Sequence, residues 1–177
     1  MALFRRKGTH FDGLADALGQ PAEVLAHGTG DGVVVAGTRE ALAVLSEGVW
    51  RVWPWERVSG GAWSSETAQF RWKTVDGESH ALTLTEANRL PQLFRERIEA
   101  STVIQSLIDA PVRGQVQIIG RRSLGKQTSV DWYAVPSGGA DLDDPTTREA
   151  VVAETDRLSA EYFGDGTNPD WRSAREV

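Results

Sequence analysis

The side chains with most capacity for consequential contact are five tryptophans close together in sequence: Trp50, Trp53, Trp55, Trp63 and Trp72. A buried indole removes a large apolar area from water and wants one acceptor for its N–H. Neighbours alternate faces along a strand, so on a strand through 49–58 Trp53 and Trp55 share one face and Trp50 takes the other. They cannot all point inward. Trp50, Trp53, Trp55 and Trp63 are therefore candidates for an exposed partner-binding patch, set against the alternative of packing inside the fold. Trp132 and Trp171 stand apart from this group.

A second group is cationic. Arg113, Arg121, Arg122 and Lys126 lie in a stretch with no acid between Asp109 and Asp131. They are candidates for binding an anion or an acidic partner. The alternatives are a solvated hairpin, or pairing with the acidic C-terminal helix. Arg71 and Lys73, on the outward face of their strand, add little to this group. Arg5, Arg6 and Lys7 follow Leu3 and Phe4, and at about 1 kcal/mol per basic residue they would hold an anionic membrane only weakly.

No spacing nominates a catalytic site. His10, His27 and His80 are not at i, i+4 spacing, and no carboxylate cluster accompanies them, whereas a metal needs converging ligands. Asp141, Asp143 and Asp144 imitate part of a calcium loop but lack its glycine and its distal glutamate; acids at a helix start explain them better. Gly28, Gly30 and Gly32 precede a strand rather than a helix, unlike a dinucleotide-binding loop. Ser64 and Ser65 have no histidine nearby in sequence. The expectation is a chain that is not an enzyme and needs no cofactor or metal.

The composition bounds the rest. At 177 residues, 40% apolar and 25% charged, the chain is long enough for a core without disulfides, and it has no cysteine. The absence of cysteine excludes thiolate chemistry and fits a reducing compartment. The first eleven residues lack the apolar stretch of a secretory signal, so the expected location is cytoplasmic. The net charge of −6 arises after position 140, where ten acids face four bases; residues 1–140 carry fifteen of each sign. A net acidic chain is a poor match to nucleic acid.

The elements that would position these residues are mostly strands. A basic segment, 1–20, holds a short helix from Asp12 to Leu18. Strands follow at 22–27, 33–38, 41–45, 49–53 and 55–58, with a turn at 28–32, a bend at Pro54 and a bulge or turn at Gly60 and Gly61. Residues 68–73 and 79–84 alternate with period two around Asp76-Gly77, the strongest hairpin signal in the chain. Leu90, Leu93, Phe94, Ile98, Ile104, Leu107 and Ile108 then fall at helical spacing, which predicts a helix over 89–109, with Pro91 in its first turn and Pro111 as its stop. Residues 114–122 and 128–135 read as a hairpin. A last helix is capped by Asp144, opened by Pro145 and ended by Gly164. Residues 165–177 read as a polar tail.

Seven strands followed by a helix is the order of the pleckstrin-homology-like superfamily. Ala22-Glu23-Val24-Leu25-Ala26 resembles the opening strand of its bacterial members, and Val33-Val34-Val35-Ala36-Gly37-Thr38 their second. Val52-Trp53-Pro54-Trp55-Glu56-Arg57-Val58 is similar to their bent apolar–Pro–aromatic–acid strand. The resemblance covers 21–110 and implies an α+β, mainly β fold: an antiparallel barrel capped by a helix. Outside it, residues 111–164 read as a ββα extension, whose composition looks like that of small actinobacterial-type proteins. Lipid-binding members carry Lys and Arg in the first hairpin loop; the loop here, residues 27–32, has neither. The expected function is a non-catalytic protein- or peptide-binding or scaffold module, using exposed aromatics or a sheet edge and with self-association as one form. The alternatives are a small-ligand or enzymatic pocket between barrel and extension, and weak binding to anionic membrane.

Overall fold

Three antiparallel sheets and three helices make up the computed structural model, which describes residues 10–125 and 130–164. The five-residue helix α1 (Leu14–Leu18) precedes a meander of β1 (Val24–Gly30), β2 (Val33–Thr38), β3 (Ala41–Ser46) and β4 (Val49–Pro54). Trp55–Arg57 is a single 3-10 turn. The second sheet is β5 (Val58–Ser64), β6 (Gln69–Thr74) and β7 (Ser79–Thr83). After α2 (Leu90–Ser101) come β8 (Thr102–Asp109), β9 (Gln115–Arg122) and β10 (Val130–Ser137), paired in the order β10-β9-β8. Helix α3 (Pro145–Phe163) follows.

The first two sheets share one core. Val35, Leu42, Trp55, Val58, Phe70, Trp72 and Leu84 meet Leu90 and Phe94 of α2 there. Phe94 stands edge-on to both Trp55 and Phe70, at 5.7 and 5.2 Å between ring centres, the arrangement favoured by the ring quadrupoles. The two sheets do not close into one continuous ladder. A single antiparallel bridge, Thr29 to Glu86, joins them at one corner.

That corner explains two glycines. A turn was expected over 28–32, but β1 runs through Gly28 to Gly30, and only Asp31 and Gly32 lie outside the strands. A Cβ on Gly30 would overlap the Thr83 carbonyl oxygen, and one on Gly28 would stand 3.0 Å from that of Glu86. The glycines admit another backbone rather than bend their own.

The expected helix over 89–109 stops at Ser101, and residues 102–109 form β8 instead. Ser101 Oγ and Thr102 Oγ1 both donate to the Ile98 carbonyl at 2.9 Å, closing the last turn. Three β-branched residues follow, Thr102, Val103 and Ile104, which favour a pleated strand. Within β8, Ile104, Ser106 and Ile108 are half-buried while Gln105, Leu107 and Asp109 are exposed. Ile104, Leu107 and Ile108 fit helical spacing, but they do not share a face. The extension is therefore a three-stranded sheet with a helix, not a ββα unit.

Residues 55–58, expected as strand, begin with the 3-10 turn that drops Trp55 fully into the core. The Trp55 indole donates to the Thr38 carbonyl at 3.0 Å. The bulge expected near Gly60 is present as a register shift between Val58 and Gly60.

A second core lies between the third sheet and α3, built on Val116, Ile118, Trp132, Ala134, Val151 and Leu158. Asp144 caps α3, its carboxylate accepting from the Thr147 amide at 2.8 Å, with Pro145 next in the chain. A third cluster seats α1 on the first sheet: Leu14 packs with Ala36 and Ala43, flanked by Phe11 and Trp50. No described helix is long and apolar enough to cross a membrane.

Candidate functional site

The second sheet has a core face and an open face. Phe70, Trp72 and Thr74 are buried, whereas Arg71 and Lys73 are exposed. Pairing sets Arg71 between Ala62 and Ala81, and Lys73 between Gly60 and Ser79. Residues paired across a sheet share a face, so two long cations rise from a floor of very small side chains.

Opposite this face stands the third sheet. Along β9, residues Val116 and Ile118 turn toward α3, so Gln117, Ile119 and Arg121 turn the other way. Gln117 and Ile119, with Val135 of β10, form the far wall of a cleft of about 460 Å³ whose floor carries Arg71 and Lys73. No carboxylate lines it. Arg71 donates through Nε and Nη2 to Gln69 Oε1 two residues back, which lays its guanidinium along the strand. The Lys73 ammonium has no hydrogen-bond or ion-pair partner among the described residues.

One buried cation ties the strands on the two sides of the cleft to each other. Arg121 is 1% exposed. Its Nη1 donates to the Ile98 carbonyl, Ser101 Oγ and Thr102 Oγ1 at 3.1, 2.8 and 2.8 Å. Its Nη2 donates to the carbonyls of Val58 and Ser59 at 2.7 and 3.2 Å. One guanidinium therefore joins β9, the C-terminal end of α2 and the start of β5. A cation is favoured at a helix C-terminus by the unpaired carbonyls and the helix dipole. Burial lowers the Arg121 pKa, partly offset by the nearby Tyr133 and Glu56. Burial also raises the Tyr133 phenol, and the Asp131 charge raises it further, against the Arg57 guanidinium.

Among the described residues, the three arginines expected to bind an anion are not brought together. Arg121 is buried, and the bonds just described turn both its Nη groups inward. Arg122, its neighbour, points to the other face of β9, is exposed and donates to the Ala100 carbonyl at 3.1 Å. Arg113 lies in the loop before β9, exposed and laid against Gly139. From Gln115, the first residue of β9, the six strand steps to Arg121 alone span about 20 Å. Lys126, the basic segment at 5–7 and Trp171 lie outside the described residues.

The tryptophans are spread between cores. Trp55 is fully buried, so it presents no surface to a partner. Trp50 sits over α1 on the opposite face of the first sheet and donates to the Asp12 carbonyl at 2.9 Å. Trp53 and Trp63 are half-buried against the main core. Trp53 meets Trp72 edge-on at 5.4 Å and His80 at 5.0 Å, and His80 stacks on Trp72 at 4.8 Å. His80 Nε2 lies 3.4 Å from Glu78 Oε2, an ion-pair distance without hydrogen-bond geometry. Among the described residues no group of three or more His, Asp or Glu side chains is placed to hold a metal.

Sequence reading passed over Arg71 and Lys73 because the alternation that faces them outward says nothing of what stands opposite. The available signal was the company they keep, Gly60, Ala62 and Ala81, residues too small to cover the sheet. No family model, curated protein or solved structure matches the chain.

Proposed function

We propose that this protein is a non-catalytic binding module that docks a peptide segment of a partner protein in the cleft between its second and third sheets. The observation that carries the reading is the open face of β5–β7: exposed, floored by small residues, walled by Ile119 and Val135, and bearing two cations with no carboxylate beside them. A cleft of this size with apolar walls and a few polar groups fits a ligand site better than a solvated surface does. This reading keeps the expectation of a peptide-binding module and moves its site from the tryptophans to the interface between the two halves.

The pleckstrin-homology-like reading of 21–110 belongs to the same proposal. It is supported by the four-plus-three strand order, the corner bridge at Thr29 and the packing of α2 against both sheets. A second docking mode rests on β4, an edge strand of its sheet with Val49 61% exposed, where a partner strand could add to the ladder.

The chain has no native cysteine, so single cysteines can be labelled cleanly. An environment-sensitive dye at Ser79→Cys, at the exposed start of β7, reads the rim of the cleft without filling it, and one at Glu47→Cys reads the turn between β3 and β4. Alternating heptapeptides of valine with glutamate, glutamine or lysine are titrated against both. The reading predicts that the glutamate peptide changes the signal at 79 and not at 47. A response at 47 alone, or none at 79 with any peptide, would overturn it.

A further inference from the structure

Resting on the cleft reading, we infer that the ligand is an extended segment carrying two anionic side chains at i and i+2, paired with Arg71 and Lys73. The two cations lie two residues apart on one strand face, about 7 Å along the chain. An extended peptide repeats its own side chains on one face at the same interval. A segment running along β6 thus places an acid-x-acid pair over Arg71 and Lys73 together. A helix would offer its nearest same-face pair at i, i+3 or i, i+4 instead, with a different spacing and a wider body.

The surroundings support this choice. Gly60, Ala62 and Ala81 flank the cations at the same level of the sheet, so nothing bulky blocks a backbone lying over them. Half-buried Val135, beside the buried Ile119 and half-buried Gln117, gives the apolar part of the wall against which intervening side chains can rest. Gln69 holds the Arg71 guanidinium in one orientation through two donors, leaving its remaining donors for a carboxylate and reducing what must be ordered on binding. Lys73 has an exposed side chain with no anionic neighbour to displace. The predicted contacts are charge-assisted but partly solvated, so they confer register and salt sensitivity more than affinity.

The test is titration calorimetry of the full chain with three blocked heptapeptides. One is Thr-Val-Glu-Val-Glu-Val-Thr; the second replaces both Glu with Gln; the third has the composition of the first with the two Glu adjacent. The first should bind, and Arg71→Gln with Lys73→Gln together should weaken it about tenfold, as loss of two partly exposed pairs implies. The adjacent-Glu peptide should bind more weakly than the first, because its carboxylates point to opposite faces. Both substitutions lie on an exposed face, and an unchanged thermal midpoint shows that the fold is kept. Equal binding of the Gln peptide, lost on filling the cleft with Ala81→Trp, would overturn the charge pairing while the cleft stands. Equal binding of the adjacent-Glu peptide would overturn the spacing. Competition by inorganic phosphate alone at matching concentration would make this a simple anion site. Binding indifferent to Ala81→Trp as well would remove the cleft reading itself.

Discussion

Replacing Arg121 should loosen the third sheet from the rest of the molecule. Its five hydrogen bonds, 2.7 to 3.2 Å long, reach three segments. Bonds from a charged donor contribute about 1.5–3 kcal/mol each, but withdrawing the guanidinium from water costs several kcal/mol, so the net is far below their sum. Ser101 and Thr102 still donate to Ile98 when the arginine is gone; the Val58 and Ser59 carbonyls lose this donor. Arg121→Met fills most of the volume and should lose about 1–3 kcal/mol, the cost of leaving buried acceptors short of a donor. Arg121→Ala adds a cavity and should lose about 3–5 kcal/mol. At about 2–4 °C per kcal/mol for a chain of this length, the alanine variant should melt roughly 10 °C lower. Urea unfolding followed by tryptophan fluorescence gives the free energies. Hydrogen exchange adds location: protection should fall first in β9 and β10 and last in β2 and β3. A methionine variant as stable as wild type, with β9 exchange unchanged, would refute the reasoning, because packing alone would then hold the sheets together.

Three further outcomes follow from named contacts. Tyr133 has a raised pKa when folded, so the folded state keeps a proton that the unfolded chain releases near pH 10; stability should be full below that pH and fall as pH rises above it, and Tyr133→Phe should flatten this limb in pH-dependent melts. Glu154 is held down to about 2 by Arg157 and by Ser106, whose hydroxyl donates to it at 2.6 Å; its stabilisation is present above the usual carboxylate pKa and lost as pH falls through about 2, and Glu154→Gln should remove that acid dependence with a loss of about 1 kcal/mol at neutral pH. Leu107→Lys, at a position 59% exposed on β8, should change stability by less than about 0.5 kcal/mol, whereas Ile108→Lys, packed toward α3, should cost about 2 kcal/mol or more; equal costs in denaturant melts would contradict the strand.

Local chemistry was readable where one face of an element decides it. The alternation of Phe70 and Trp72 with Arg71 and Lys73 marked β6 and its two faces. Asp76-Gly77 marked the turn between β6 and β7, where Gly77 has φ +89°. Asp144, Pro145 and Gly164 marked both ends of α3. Residues 102–109 misled because Ile104, Leu107 and Ile108 fit two periods at once. The deciding contact is β9, which pairs along the whole length of β8. Gly28 and Gly30 read as a turn because glycine serves turns and close approaches alike, and the approaching Thr83 and Glu86 are more than fifty residues away. Arg121 belonged to a stretch without acids that suggested a free basic surface. Its partners are carbonyls and hydroxyls, and a bond to a carbonyl leaves no signature in sequence. The cleft was unreadable for a related reason, since neither wall specifies the other.

The most direct measurement of the central claim is backbone amide chemical-shift mapping of the Thr-Val-Glu-Val-Glu-Val-Thr peptide onto the isotope-labelled chain. The account predicts shifts centred on 60–62, 71–73, 79–81, 117–119 and 135, growing with peptide and fading with added salt. Shifts centred instead on 49–54, with 71–73 unmoved, would contradict it and place docking at the edge of the first sheet.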